Sequence, residues 1–177
     1  MEKPNSYCQY VNSLPEDDLH RIYHDTQYGF QINSDNELFG RLILEINQAG
    51  LSWTTILKKQ NNFREAFSNY NIEKIAYYKD SDIKRLLADS GIIRNKLKIK
   101  SVIFNANKIL EIRSEHGSFK SWLNGHLALD LAQWVKLFKQ TFKFTGGEIT
   151  KEFLMSTGYI NGAHIKECPI YNKINDN

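Results

Sequence analysis

The chain has 177 residues and a mass of 20.6 kDa, which suits one domain or two small lobes. Its 41% hydrophobic and 24% charged residues exclude wholesale disorder, and a formal charge of +3 is too mild by itself to mark a nucleic-acid binder. No apolar run approaches the roughly 20 residues of a membrane span. The polar segment Met1–Ser6 lacks the apolar stretch of a secretory signal, and two cysteines, Cys8 and Cys168, cannot build a disulfide framework. The expectation is a soluble, cytoplasmic protein.

Pro4, Pro15 and Pro169 are the only prolines, so residues 16–168 run without one. Leu38, Leu42, Ile46 and Ala49 share one face at helical spacing, which predicts a helix over 35–49 with Gly50 as its stop. Ser52 is placed to cap a second helix carrying Ile56 and Leu57. Further helical patterns cover 61–70, 72–78, 80–89, 95–115, 128–141 and 148–157. Strand-like alternation is scarce, and the fold class is all-α. Tyr77, Tyr78 and Trp134 are assigned to packing, His116 and His126 to the surface.

Three features carry chemistry. His164 and Cys168 stand four positions apart, and Cys8 and His24 offer a second pair near the other end of the chain. Around a tetrahedral ion they would form a closed Cys2His2 zinc site, clipping the N-terminal arm to the C-terminal tail. Free thiols with unrelated histidines, or a disulfide, are the alternatives on spacing alone. Glu45 falls within the apolar stripe of the 35–49 helix, where an ionised carboxylate is costly unless paired or facing a cavity. It either salt-bridges Arg41 or Lys58, emerges at the domain edge, or lines a pocket for a cation, and Trp53 beyond Gly50 favours the pocket. Finally, Gly91 to Arg113 holds six basic residues and one acid, a local +5 that leaves −2 for the rest. Helix, Gly-containing turn and helix over 80–115 read either as a solvated basic face or as a phosphate-binding element.

Taken together, these residues resemble the DNA-3-methyladenine glycosylase I family of the helix-hairpin-helix glycosylase superfamily. The matching segments are Tyr23-His24-Asp25 with Tyr28-Gly29, Leu44-Glu45, and Gln48-Ala49-Gly50-Leu51-Ser52-Trp53-Thr54. They continue with Ile56-Leu57-Lys58-Lys59, Ser90-Gly91-Ile92-Ile93-Arg94, Phe142-Lys143-Phe144-Thr145-Gly146, and His164 with Cys168. The resemblance spans nearly the whole chain. It implies a single helix-hairpin-helix domain over 1–177, with a DNA-binding element at 80–115 and zinc-clipped termini at 1–30 and 158–177. Zinc would be held by Cys8, His24, His164 and Cys168, one structural ion per chain and no other cofactor.

The resemblance also implies a monofunctional base-excision enzyme, acting as a monomer on alkylated double-stranded DNA. It would hydrolyse the N-glycosidic bond of N3-methylated adenine. Glu45 would be the site carboxylate, Tyr23, Tyr28, Trp53 and Glu152 would bind the flipped base, and Gly91, Arg94, Lys96 and Lys98 would meet the DNA backbone. The chain departs from the family at Gln27, Tyr28 and His20, in a shorter stretch between Trp122 and Phe142, and at Glu152 in place of a small residue. A catalytically weak lesion binder and a small-molecule receptor are the other classes considered. Glu45, Tyr23 and Trp53 weigh against the first, and the +5 segment against the second.

Overall fold

The computed structural model describes residues 4–175, and every regular element among them is helical. The chain divides into two compact units, Met1–Ile32 with Leu154–Asn177, and Asn33–Phe153.

In the unit 33–153, α3 (Asp35–Gln48) starts where the Ser34 side chain accepts from the Glu37 amide, with Asp35 and Glu37 in its first turn. Residues Leu38 to Asn47 are all buried, so this is a core helix covered on every side. Its end is set by Gly50 at φ +83°, a left-handed turn that glycine adopts without Cβ strain. Lys98 reaches back to that end, and its ammonium donates to the carbonyls of Asn47 (3.1 Å) and Ala49 (2.8 Å).

Gly40 fixes the packing of α3 in another way. A Cβ there would fall inside the buried Tyr70 ring, 2.6 and 2.7 Å from Cε2 and Cγ. Gly40→Ala is therefore expected to destabilise the protein by about 2–3 kcal/mol through overpacking, read as a lower denaturant midpoint at unchanged slope.

Ser52 caps α4 (Trp53–Ala66) by accepting from the Thr55 amide, as its sequence position predicted. The separate helix expected at 61–70 does not form. Neither glycine nor proline interrupts Lys58 to Asn62, so α4 runs on to Ala66. Ser68, Asn69 and Tyr70 then turn the chain with φ of 52°, 56° and 59°. Beyond them lie α5 (Ile72–Ala76), α6 (Asp80–Ala88) and α7 (Lys96–His116). Tyr77 is 72% exposed and so is not the packing residue its type suggested.

The short helix α8 (Phe119–Asn124) was not anticipated, because part of its cap comes from far away. Asp35 accepts from the amides of Phe119 and Lys120 at 2.9 Å each, and from Arg113 Nε at 2.8 Å. α9 (Leu131–Thr141) begins after its Asp130–Gln133 capping box, three residues later than the 128–141 pattern. α10 (Gly147–Ser156) follows. Phe119, Trp122, Trp134, Phe138, Phe142 and Phe153 form one buried aromatic cluster. His126 joins it rather than the surface, its Nδ1 2.7 Å from the Trp122 carbonyl and its ring 4.9 Å from that of Trp122.

The other unit is built from α1 (Tyr7–Asn12), α2 (Leu19–Thr26), the last turn of α10 from Leu154, and α11 (Tyr171–Asn175). Gly29, at φ +81°, brings the segment after α2 against residues 156 and 163: its amide donates to the Ser156 carbonyl at 3.0 Å. An added Cβ would sit 2.8 Å from Ala163 Cβ. No helix of the described residues is long and apolar enough to cross a membrane.

Candidate metal centre, buried carboxylate and basic turn

Within the unit 1–32/154–177, α1 carries Cys8, α2 carries His24, and the turn before α11 carries His164 and Cys168. All four are buried, and their ligand atoms lie within 4.8 Å of one another. Cys8 Sγ is 3.8 Å from His164 Nδ1; Cys168 Sγ is 3.4 Å from His164 Nδ1 and 3.7 Å from His24 Nε2. A tetrahedral ion bonded at about 2.3 Å to sulfur and about 2.0–2.1 Å to nitrogen separates such atoms by about 3.6 Å. The donor set therefore fits a four-coordinate metal.

The outer partners agree with that geometry. His24 Nδ1–H donates to Asp25 Oδ1 at 2.6 Å, and His164 Nε2–H donates to the Tyr28 carbonyl at 2.8 Å. Each bond fixes the tautomer that turns a lone pair toward the cluster. Burial pushes the Cys8 thiol up and the His164 imidazole down from their ordinary values, so charge is disfavoured here unless an opposite charge is bound. The sequence reading missed Asp25 and Tyr28 as outer partners. The direct adjacency of His24 and Asp25 was the available signal.

Glu45 lies on α3 at 4% exposure, so it does not emerge at an edge. Trp53 opens α4, half-buried, beyond the turn 49–52, and around Gly50 a Cβ would meet open space. Glu152, on α10, is half-buried. In the other unit, Tyr23 and Tyr28 are buried with ring centroids 5.6 Å apart, and Tyr28 also packs 5.7 Å from the His164 ring.

The basic turn between α6 and α7 is held from below by α4: Lys59 Nζ donates to the Ser90 carbonyl at 2.8 Å and Asn62 Nδ2 to that of Gly91 at 3.4 Å. A Cβ at Gly91 would lie 2.9 Å from Asp89 Oδ1 and 3.0 Å from Asn62 Nδ2, so those side chains would have to shift. Its amide donates to Asp89 Oδ1, and Asn95 Oδ1 accepts from Leu97 and Lys98 at the start of α7. The amides of Gly91, Leu97 and Lys98 therefore already have protein acceptors. Arg94 and Lys96 are exposed, whereas Lys98 is 6% exposed and capped on α3.

Comparison with known proteins places this geometry. Residues 13–134 match the model of the family described as methyladenine glycosylase. Over 183 residues the chain is 32% identical to DNA-3-methyladenine glycosylase 1 of Escherichia coli K12, covering 93% of this chain and 96% of that protein. Identity to the DNA-3-methyladenine glycosylase of Haemophilus influenzae is 28% over 181 residues, covering 92% and 96%. Among solved structures, a Tyr-to-Phe variant of 3-methyladenine DNA glycosylase I in complex with 3-methyladenine superimposes with a TM-score of 0.80. It is 32% identical, with 88% of this chain and 93% of that chain covered. A Glu-to-Gln mutant of the Staphylococcus aureus enzyme gives 0.81 at 31% identity, covering 90% and 95%. The chain belongs to the methyladenine glycosylase family.

Proposed function

We propose that this chain is a single-domain, monofunctional DNA glycosylase that hydrolyses the N-glycosidic bond of N3-methylated adenine in alkylated duplex DNA, working as a monomer. The observation that carries the reading is a carboxylate, Glu45, buried at 4% exposure in a chain of this family. Methylation at N3 makes adenine cationic and already a good leaving group, so little acid catalysis is needed. The protein must extrude the lesion, recognise its charge and shield the bond. A desolvated carboxylate attracts the cationic base far more than neutral adenine, since Coulomb attraction grows as the local dielectric falls.

Trp53 offers an aromatic face, and base stacking with cation–π attraction contributes about 1–3 kcal/mol. Tyr23, Tyr28 and Glu152 are assigned to the same base by the family resemblance. The Cys8, His24, His164 and Cys168 cluster is assigned to one structural zinc ion, supported by its soft ligands and their tetrahedral spacing. With Cys8, His24, His164 and Cys168 all bound, a zinc ion here would keep no open position and would contribute to folding rather than to chemistry. The reading is tested by base release from alkylated duplex DNA, and release no faster than the spontaneous rate would sink it.

The α6–turn–α7 segment is proposed as the helix-hairpin-helix contact with DNA phosphates, made by the exposed Arg94 and Lys96 beside Gly91. Lys98 is left out of that contact, because its ammonium already caps α3. Arg94→Ala with Lys96→Ala is expected to weaken duplex binding uniformly across sequences. It should also flatten the slope of log K against log salt by about 1.8, about 0.9 per phosphate lost. An unchanged slope would remove the turn from the interface.

A further inference from the structure

A second surface adjoins the basic turn. Between α6 and α7 runs a groove of about 740 Å³, with Ile83, Ile103 and Phe104 among its apolar lining and Lys79 and Lys100 beside them. Phe104 is 38% exposed, and Lys143 places its ammonium 4.1 Å from the ring centroid. That lysine is held in place by its backbone: its amide donates to Asn105 Oδ1 at 2.8 Å, and Asn105 Nδ2 donates to its carbonyl at 3.0 Å, with Asn105 fully buried. Asp80 is the one acid in the lining. On α7, Lys100 stands four positions after Lys96, and Ile103 and Phe104 stand three and four positions after Lys100, so one helix face leads from the turn into the groove.

We propose that this groove binds single-stranded DNA, with one unstacked base against Phe104 and flanking phosphates on Lys79, Lys100 and Lys143. Two lysines against one aspartate in the lining, with the Lys143 ammonium added at the Phe104 ring, match a polyanion, and an exposed phenyl ring offers the sequence-tolerant platform a base stacks on. Lys143 has a low-cost exchange available. Its solvent-exposed hold on the ring is worth about 0.5–1 kcal/mol. On binding it moves to a phosphate while the base takes over the ring face. The proposal rests on the reading of the chain as a DNA-binding glycosylase. It adds a site for unpaired strand next to the duplex contact at Arg94 and Lys96.

The test measures fluorescence anisotropy of an oligothymidylate of about 15 nucleotides, a length within the usual site sizes, and of an intact duplex. Four proteins are compared: the parent, Phe104→Ala, Lys100→Ala/Lys143→Ala, and Arg94→Ala/Lys96→Ala. Phe104→Ala should weaken oligothymidylate binding about tenfold. The Lys100/Lys143 pair, exposed and so harmless to folding, should flatten its salt slope by about 1.4, about 0.7 per phosphate. Duplex binding and base release should stay at parental levels in both, while the Arg94/Lys96 variant should show the opposite pattern. Equal oligothymidylate binding by parent and groove variants overturns the proposal. So does a parallel loss on duplex, no binding by the parent at low salt, or displacement by polyglutamate as effective as by DNA. If groove variants behave as stated while the parent releases no methylated base, the groove stands and the glycosylase reading falls.

Discussion

Glu45→Gln is expected to slow release of 3-methyladenine from alkylated duplex DNA about 30- to 150-fold while leaving the protein folded. The substitution keeps size and shape but removes the charge. What is lost is the difference between a charge-assisted contact with a cationic base and a neutral one, about 2–3 kcal/mol in a desolvated site. Glu45 lies at 4% exposure among the buried residues of α3. Gln fills the same space as Glu, so the thermal midpoint should move little. Binding of free 3-methyladenine should weaken alongside turnover. Equal release by parent and variant would show that the carboxylate is not the recognition group. A large fall in melting temperature would make Glu45 a structural residue instead.

The second large effect concerns the four soft ligands. Cys168 is the natural point of attack, because its sulfur lies within 3.7 Å of ring nitrogens from both His24 and His164. Cys168→Ala should reduce bound zinc from about one ion per chain to near none. Metal binding free energy is folding free energy when the site exists only in the folded chain. If about 4 kcal/mol of it is lost, the melting temperature should drop by about 8–16 °C. Amide exchange should quicken in residues 4–32 and 154–175, the unit that holds the cluster, more than in 33–153. Parent protein stripped by a chelator should reproduce both changes. A metal-free parent with unaltered melting temperature would refute a structural ion.

Much of the fold was readable because its signals are local. Ser52 and Asn95 cap α4 and α7 through amides two or three residues away, and Gly50 stops α3 through its own φ. Where the reading failed, the decisive partner was distant or the expected breaker was missing. α8 takes part of its cap from Asp35, 84 and 85 positions earlier, and α4 continues through Lys58–Asn62 because nothing there interrupts a helix. His126 looked like a surface residue in a polar stretch, yet the aromatic cluster recruits it. Tyr77 has the composition of a packing residue and points to solvent.

The amino-acid sequence by itself determined the helical class, the principal helix starts, the carboxylate in an apolar stripe, and the kinds of ligand available for a metal. Caps, periodicity and side-chain chemistry are properties of short stretches. Only the tertiary structure decided which of those groups meet. Cys8 and His164 are 156 positions apart and reach 3.8 Å; Lys98 crosses 49 positions to cap α3 and so leaves the basic surface. The amides of Gly91, between α6 and α7, and of Leu97, at the start of α7, turn to Asp89 and Asn95. Lys143 is set beside Phe104 by a clamp from Asn105, 38 positions away. A lysine counted from composition carries the same charge in every setting. Burial and hydrogen bonding decide whether that charge is spent inside the fold or left for a ligand.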